Sequence, residues 1–248
     1  YNMQNNTEND ILQLPEKIAI EKEIQIVICI DEFQQISDFE DSKTFQKKLR
    51  SVWQLQQHVS YCLFGSKKHL MNELFEKKNL PFYKFGDAIY LTKIETKYWI
   101  EYICKRFENT GKHISPELAE EICRLVDNHS SYVQQLSWLL WIRTINTATT
   151  EQLTYALEDL LDQNNILFQS ETENLSAYQM NFLKAIVDGI HTKFSSKEVI
   201  SKYNLGTSAN IVRLKNALLQ KELIETNGKE IVLADPVFGV WFKKEMLY

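Results

Sequence analysis

Residues 26–32 read Ile-Val-Ile-Cys-Ile-Asp-Glu, a short apolar stretch rich in β-branched residues that ends in two acids. Such a continuous run is typical of a strand that is covered on both faces of a parallel sheet. Residues 59–64 (Val-Ser-Tyr-Cys-Leu-Phe) form a second run, and residues 88–91 predict a third strand. Because helical patterns and no hairpin signals separate them, the sequence predicts a doubly wound α/β fold. The first helical pattern has one apolar face, made by Phe45, Leu49, Val52 and Trp53.

The rest of the chain predicts two further domains. From about residue 96 to 168, apolar residues recur at helical spacing, which indicates a small helical bundle. A serine-rich and acidic stretch, residues 169–176, has the composition of a linker. Three helical patterns then precede two short apolar runs around Asn227-Gly228, the strongest short signal for a β-hairpin. We therefore expect domains at 1–95, 96–170 and 171–248, the last a winged helix-turn-helix.

The composition excludes several classes of protein. The 248 residues are 44% apolar and 12% aromatic, which is too high for a disordered chain. No apolar run approaches the about 20 residues of a membrane-spanning helix, so no membrane partner is expected. A net charge of −5 argues against a surface that binds nucleic acid throughout. The four cysteines lack Cys-x-x-Cys spacing, which predicts buried free thiols in a reducing, cytoplasmic compartment and no zinc site.

The two acids that end the first strand are the strongest candidates for chemistry. In open α/β sheets, the carboxyl ends of the strands face the ligand crevice. A buried strand would hold Asp31 rigidly where Mg²⁺ on a nucleotide binds, and Glu32 would polarise an attacking water. The alternative interpretation is two exposed acids in an ordinary turn between a strand and a loop.

Five stretches resemble the prokaryotic AAA+/STAND-related P-loop ATPases, the archaeal-type ATPase family. The more specific part is Ile-Asp-Glu-Phe-Gln at 30–34 followed by a strand that ends in Gly-Ser at 65–66. The resemblance implies a partial α/β P-loop core with a parallel sheet, then an α-helical lid and a winged helix, with ATP and Mg²⁺ as ligands. The stretches are residues 30–36, 60–75, 80–94, 132–141 and 234–244.

The resemblance also implies roles for individual residues. Asp31 and Glu32 match the Walker B motif, as magnesium ligand and catalytic base. Ser66 matches the sensor 1 position, where a polar side chain contacts the γ-phosphate, and Lys67 or Lys68 falls where family members often carry a basic residue. For Ser66 the alternative is a helix N-cap, which would by itself account for a serine there.

One further nucleotide contact is implied in the lid. The family often has a Gly-His-Pro turn near the nucleotide, and this chain has Asn128-His129-Ser130 at that point. The missing proline weakens the match. His129 is therefore either a nucleotide contact or an ordinary loop residue.

A Walker A loop, GxxxxGK[ST], is missing from these 248 residues. The Gly-Lys pairs at 111–112 and 228–229 are followed by His113 and Glu230 and lack the preceding glycine. With 7 glycines and a first residue that is Tyr1 rather than Met, we expect the loop to lie in preceding sequence. The parent protein is then expected to hydrolyse ATP and to switch its lid and winged helix, while this chain alone is inactive.

The sequence of the winged helix does not decide whether its partner is DNA or a protein. Its predicted recognition helix carries Arg213, Lys215 and Lys221, but Glu222 follows at once. Because a DNA reader needs a clear basic excess, contact with an unknown protein is the expectation and DNA the alternative. The alternative function for the whole chain is a non-catalytic regulatory module that binds DNA or protein through this domain. An oligomer is compatible with either function.

Overall fold

A computed structural model describes residues 8–246, except for the side chains of residues 68 and 69. The chain divides into two compact units, Tyr1–Tyr90 and Leu91–Tyr248. Within residues 8–246, no helix combines the length and the apolar character that crossing a membrane requires.

The first unit is an α/β layer around two parallel strands. Ile26 pairs with Val59 at one end of the ladder and Ile30 pairs with Leu63 at the other, so the predicted parallel sheet is confirmed. The elements of this unit are α1 (Glu8–Lys22), β1 (Ile26–Ile30), a 3₁₀ helix (Phe33–Asp38), α2 (Ser42–Trp53), β2 (Val59–Leu63) and α3 (Lys68–Glu76).

The prediction of a third strand at residues 88–91 is wrong. This segment has no strand structure, and the side chains of Ile89 and Leu91 are 85% and 93% exposed. An apolar run becomes a strand where a neighbouring strand accepts its hydrogen bonds and a core covers one face. Residues 88–91 belong to no strand of the described sheet, and no core covers Ile89 or Leu91.

The sheet buries one face, whereas the sequence predicted burial of both. Trp53 stacks on Tyr61 of β2 with the ring centroids 4.0 Å apart, and the core of the unit lies on this side. Side chains alternate along a strand, so the opposite face carries Val27, Cys29 and Cys62, which are exposed. The prediction of buried cysteines is therefore wrong at residues 29 and 62. The described helices cover the face that carries Tyr61 and leave the face with the two cysteines exposed. The buried core residues are Phe33, Ile36, Leu49, Val52, Trp53, Leu74 and Phe82.

The second unit is helical, with one β-hairpin near its end. Its helices begin where the sequence offers caps: Ser115 accepts a hydrogen bond from the Leu118 amide at the start of α5, and Pro116 is the first residue of that helix. Gly228 makes the predicted turn of the antiparallel hairpin at φ 61°. The elements are α4 (Thr96–Glu108), α5 (Pro116–Leu125), α6 (Ser130–Arg143), α7 (Thr150–Glu173), α8 (Ala177–Val187), α9 (Lys197–Tyr203), α10 (Ser208–Gln220), β3 (Ile224–Asn227), β4 (Glu230–Leu233) and α11 (Pro236–Met246).

The predicted linker at residues 169–176 is mostly the last turn and a half of α7. Phe168 and Thr172 are buried there, and Phe168 packs against Phe238 and Trp241 of α11 at centroid distances of 5.5 and 5.6 Å. The polar residues of this stretch lie on the solvent-exposed side of a helix whose other side is apolar. One continuous core therefore joins the helical bundle to the C-terminal helices.

Candidate functional site

The turn that follows β1 is bonded to the end of β2. The Phe64 amide donates to the Ile30 carbonyl, and the Phe33 amide donates to the Phe64 carbonyl, each at 3.0 Å. These two bonds continue the parallel pairing past the strands and place Asp31 and Glu32 beside Ser66. The carboxyl ends of both strands thus supply the polar side chains, as expected for a ligand-binding edge.

The backbone of this turn is unusual at Glu32. Glu32 has φ 50° and ψ 39°, a left-handed conformation that non-glycine residues adopt rarely. Its amide donates to Oδ1 of Asp31 at 2.8 Å, which fixes the aspartate side chain against the turn. Such a conformation costs about 1–3 kcal/mol. Seven other non-glycine residues of the described chain also have positive φ, so the conformation by itself does not mark a site.

The carboxylate of Glu32 is held by two neighbours. Ser66 Oγ donates to Glu32 Oε2 at 3.2 Å, and Gln34 Nε2 donates to the same oxygen. The Ser66 hydroxyl, then the Gln34 amide, with a smaller contribution from the charge of Lys67, hold the Glu32 pKa below its ordinary value. Glu32 is therefore ionised at neutral pH and can accept a hydrogen bond from water.

Ser66 does not cap the next helix. The residue before α3 is Lys67, whose side chain makes no capping hydrogen bond to that helix. The capping alternative is thus not what the structure shows, since the Ser66 hydroxyl faces Glu32 instead. Of the two predicted lysines, Lys67 contributes to the electrostatics of Glu32, whereas the side chain of Lys68 lies outside the described residues.

Gln34 is the residue of this site that sequence reasoning missed. It is 2% exposed, and a Cβ placed on Gly65 would come within 1.9 Å of its Oε1, so the amide crosses directly over the glycine. The one available signal was a glutamine that immediately follows an acid pair and an aromatic residue, a pattern that does not by itself predict a role for Gln34.

His129 belongs to the second unit and precedes α6. Its ring lies 4.8 Å from that of Tyr132, and within residues 8–246 its buried Nδ1 has no hydrogen-bond partner. Asp127 and Asn128 before it both have positive φ, at 48° and 54°. Because the site of Asp31, Glu32 and Ser66 belongs to the other unit, the nucleotide contact of His129 stays a prediction.

The donors at the edge of the sheet suit a magnesium ion better than a transition metal. Asp31 is exposed, and its carboxylate, the carboxylate of Glu32 and the hydroxyl of Ser66 are all hard oxygen donors. Across the described residues, there is no cluster of three or more His, Cys, Asp or Glu that would hold a metal alone. Mg²⁺ is commonly bound by one or two carboxylates together with substrate phosphates, which this donor set fits.

Comparison with solved structures identifies the fold. The Walker-type ATPase of Pyrococcus abyssi superposes with a TM-score of 0.75 over 97% of this chain and 69% of that chain, at 16% identity. This chain has the fold of a Walker-type ATPase. The expected partial α/β core with a lid and a winged helix is thereby confirmed at the level of fold.

Other comparisons are weaker or cover less of the chain. The ORC2 protein of Aeropyrum pernix, at 13% identity, has a TM-score of 0.49 over 100% of this chain and 73% of that chain. The RuvB branch migration motor of Thermotoga maritima, also at 13%, has a TM-score of 0.44 over 92% and 72%. Residues 166–244 match the family model of a probable winged helix domain, which confirms the predicted winged helix. Among curated proteins, none matches.

Proposed function

We propose that this chain supplies the metal-binding and water-orienting half of an ATP hydrolase. The observation that carries the proposal is the meeting of Glu32 and Ser66 at 3.2 Å, beside Asp31, on the carboxyl edge of two parallel strands. In this proposal the domains are a partial core (1–95), a helical lid (96–170) and a winged helix (171–248).

Each residue has a distinct task in the proposed reaction. Asp31 would hold Mg²⁺, directly or through water, and Mg²⁺ would neutralise charge on the phosphate oxygens. Glu32 stays ionised because Ser66 and Gln34 donate to it, so it would orient the attacking water and accept a hydrogen bond from it. When a nucleotide is bound, the Ser66 hydroxyl would donate its single proton to the terminal phosphate instead of to Glu32.

The phosphates themselves need a loop that these 248 residues do not contain. No GxxxxGK[ST] sequence is present, so the backbone amides and the lysine that cradle the β- and γ-phosphates must come from other sequence, in the same or another polypeptide. Below, the loop-containing protein means this chain together with the sequence that supplies the GxxxxGK[ST] loop. His129, with Lys67 or Lys68, would add contacts to the nucleotide.

The test compares ATP hydrolysis by the loop-containing protein with that of its Glu32→Gln variant. Loss of a general base lowers kcat by about 100-fold to 10,000-fold, and the variant should still bind ATP with Mg²⁺. The 248-residue chain alone should show no turnover. Glu32-dependent hydrolysis by the chain alone, or full activity of Glu32→Gln in the loop-containing protein, would contradict the proposal.

A second candidate function is a non-catalytic module that binds DNA or a protein through its winged helix. The match of residues 166–244 to a winged helix model favours it, and Arg213 is exposed on α10. If it binds DNA, the affinity for a duplex should fall steeply as salt rises and Arg213→Ala should reduce that slope. A salt-independent interaction would instead indicate a protein partner.

A further inference from the structure

Gln34 is a buried polar residue in a position where an apolar one would be expected. It lies in the 3₁₀ helix after β1, between the buried side chains of Phe33 and Ile36 on the same element. Burying an amide costs free energy unless its groups are hydrogen-bonded. Its Nε2 is satisfied by Glu32, while Oε1 has no partner among the described residues.

The amide of Gln34 lies against Gly65. At Gly65, a methyl group would overlap Oε1 of Gln34 at 1.9 Å and would also come within 3.1 Å of the Met71 sulfur. Gly65 has no positive φ, so its value here is the missing side chain and not its conformational freedom. A side chain at position 65 would therefore displace the glutamine amide from the position it has here.

From this geometry we infer that Gln34 is a positioning residue that holds the Glu32 carboxylate toward Ser66. Glu32 has a left-handed backbone. Without hydrogen-bond partners, a glutamate side chain samples several rotamers. The Gln34 amide fixes one carboxylate oxygen from the buried side while Ser66 contacts the same oxygen from the end of β2. A carboxylate held in this way is preorganised, which lowers the entropic cost of orienting a water molecule.

The catalytic consequence of this inference rests on the proposed ATP hydrolase. The contact between Gln34 and Glu32 does not depend on that proposed function. One measurement therefore tests the contact and a second tests its catalytic consequence. Gln35 provides a matched control because it is the next residue, has the same side chain and is exposed.

The first measurement follows the side-chain NH₂ signals of Gln34 by NMR in the 248-residue chain. In Glu32→Ala these signals should move toward the positions of exposed glutamines, since the acceptor is gone, while the signals of Gln35 stay in place. This arm does not depend on whether a Gln34 variant folds. Unchanged Gln34 signals in Glu32→Ala would overturn the inference.

The second measurement compares Gln34→Met with Gln35→Met in ATP hydrolysis by the loop-containing protein. Loss of a positioning contact should lower kcat about 10-fold to 100-fold with KM changed less than about twofold, and Gln35→Met should match the unmodified protein. A kcat equal to that of Gln35→Met, or a loss carried by KM alone, would overturn the inference. If the unmodified protein hydrolyses no ATP, the proposed function fails and the NMR result alone decides whether Gln34 holds Glu32.

Discussion

Tyr132 in α6 donates a hydrogen bond to Asp235, which lies 103 positions later and caps α11. The second carboxylate oxygen of Asp235 accepts from the amides of Val237 and Phe238 at 2.8 and 3.0 Å. One aspartate thus ties the helical bundle to the start of the C-terminal helix. Burial, then the bond to Asp235, raises the pKa of the Tyr132 hydroxyl, so this group remains a donor at all ordinary pH values.

Replacing Tyr132 by phenylalanine should destabilise the second unit. The ring keeps its packing, but one oxygen of Asp235 loses its donor in a part-buried position. A hydrogen bond to a charged group contributes about 1.5–3 kcal/mol, so the free energy of unfolding should fall by that amount in urea denaturation. Tyr178→Phe is the control, because Tyr178 is exposed. Equal stability of the two variants would show that the bond contributes nothing.

The stability of the same region should depend on pH through Glu171. Burial, then the charge of Asp235, raises the pKa of this carboxyl above 4.5. The folded state therefore binds the proton more tightly than the unfolded state, and stability is lost as pH rises through the raised pKa. Glu171→Gln should thus be more stable than the unmodified chain at neutral pH, with a gain that disappears as pH falls to 4.5.

Thermal unfolding across pH checks this prediction against Glu173→Gln. Glu173 is exposed on the same helix and should give little change in either direction. A gain for Glu171→Gln that persists at acidic pH would mean that its cause is packing and not the charge.

Gly65→Ala should destabilise the first unit, while Gly86→Ala should not. The added methyl group at residue 65 would meet Gln34 and Met71, whereas nothing lies within 4 Å of the corresponding position at residue 86. Overpacking of this kind costs about 1–3 kcal/mol, and a glycine replaced without strain changes stability by less than about 1 kcal/mol in the favourable direction. Urea denaturation measures both. Similar values for the two variants would mean that Gln34 moves aside freely.

The sequence predicted most of the elements because their signals are local. Ser115-Pro116 marked a helix start through its capping chemistry. The hairpin turn relies on the positive φ of Gly228, while Asn227 is the last residue of β3. The prediction of a third strand was wrong because a run of four apolar residues does not indicate whether a neighbouring strand is present to pair with it. The prediction of a linker was wrong for a related reason. Residues 169–173 are mostly polar, yet they belong to α7, whose apolar side is buried by residues of α11 that lie far along the chain.

The sequence singled out the two acids of the candidate site but not the residues that contact them. Asp31 and Glu32 stand out in the sequence because they end an apolar strand, where a parallel sheet faces its ligand crevice, and their roles stay a prediction. For Ser66 the sequence allowed either a helix cap or a site residue, and in the structure its hydroxyl donates to Glu32. Gln34 could not be found from one sequence, because its role depends on the absence of a side chain at Gly65, a position that the chain reaches only through the pairing of β1 with β2.

The helical bundle and the C-terminal helices should unfold as one cooperative unit, which Phe168→Ala tests. Phe168 is 1% exposed and contacts Phe238 and Trp241, so its truncation should cost about 3–5 kcal/mol. Ile166→Ala is the control, because Ile166 lies two residues earlier on α7 and is 82% exposed. Hydrogen exchange should show amides in both α6 and α11 losing protection by the same amount in Phe168→Ala. A loss confined to α11 would instead mean that this helix opens independently of the bundle.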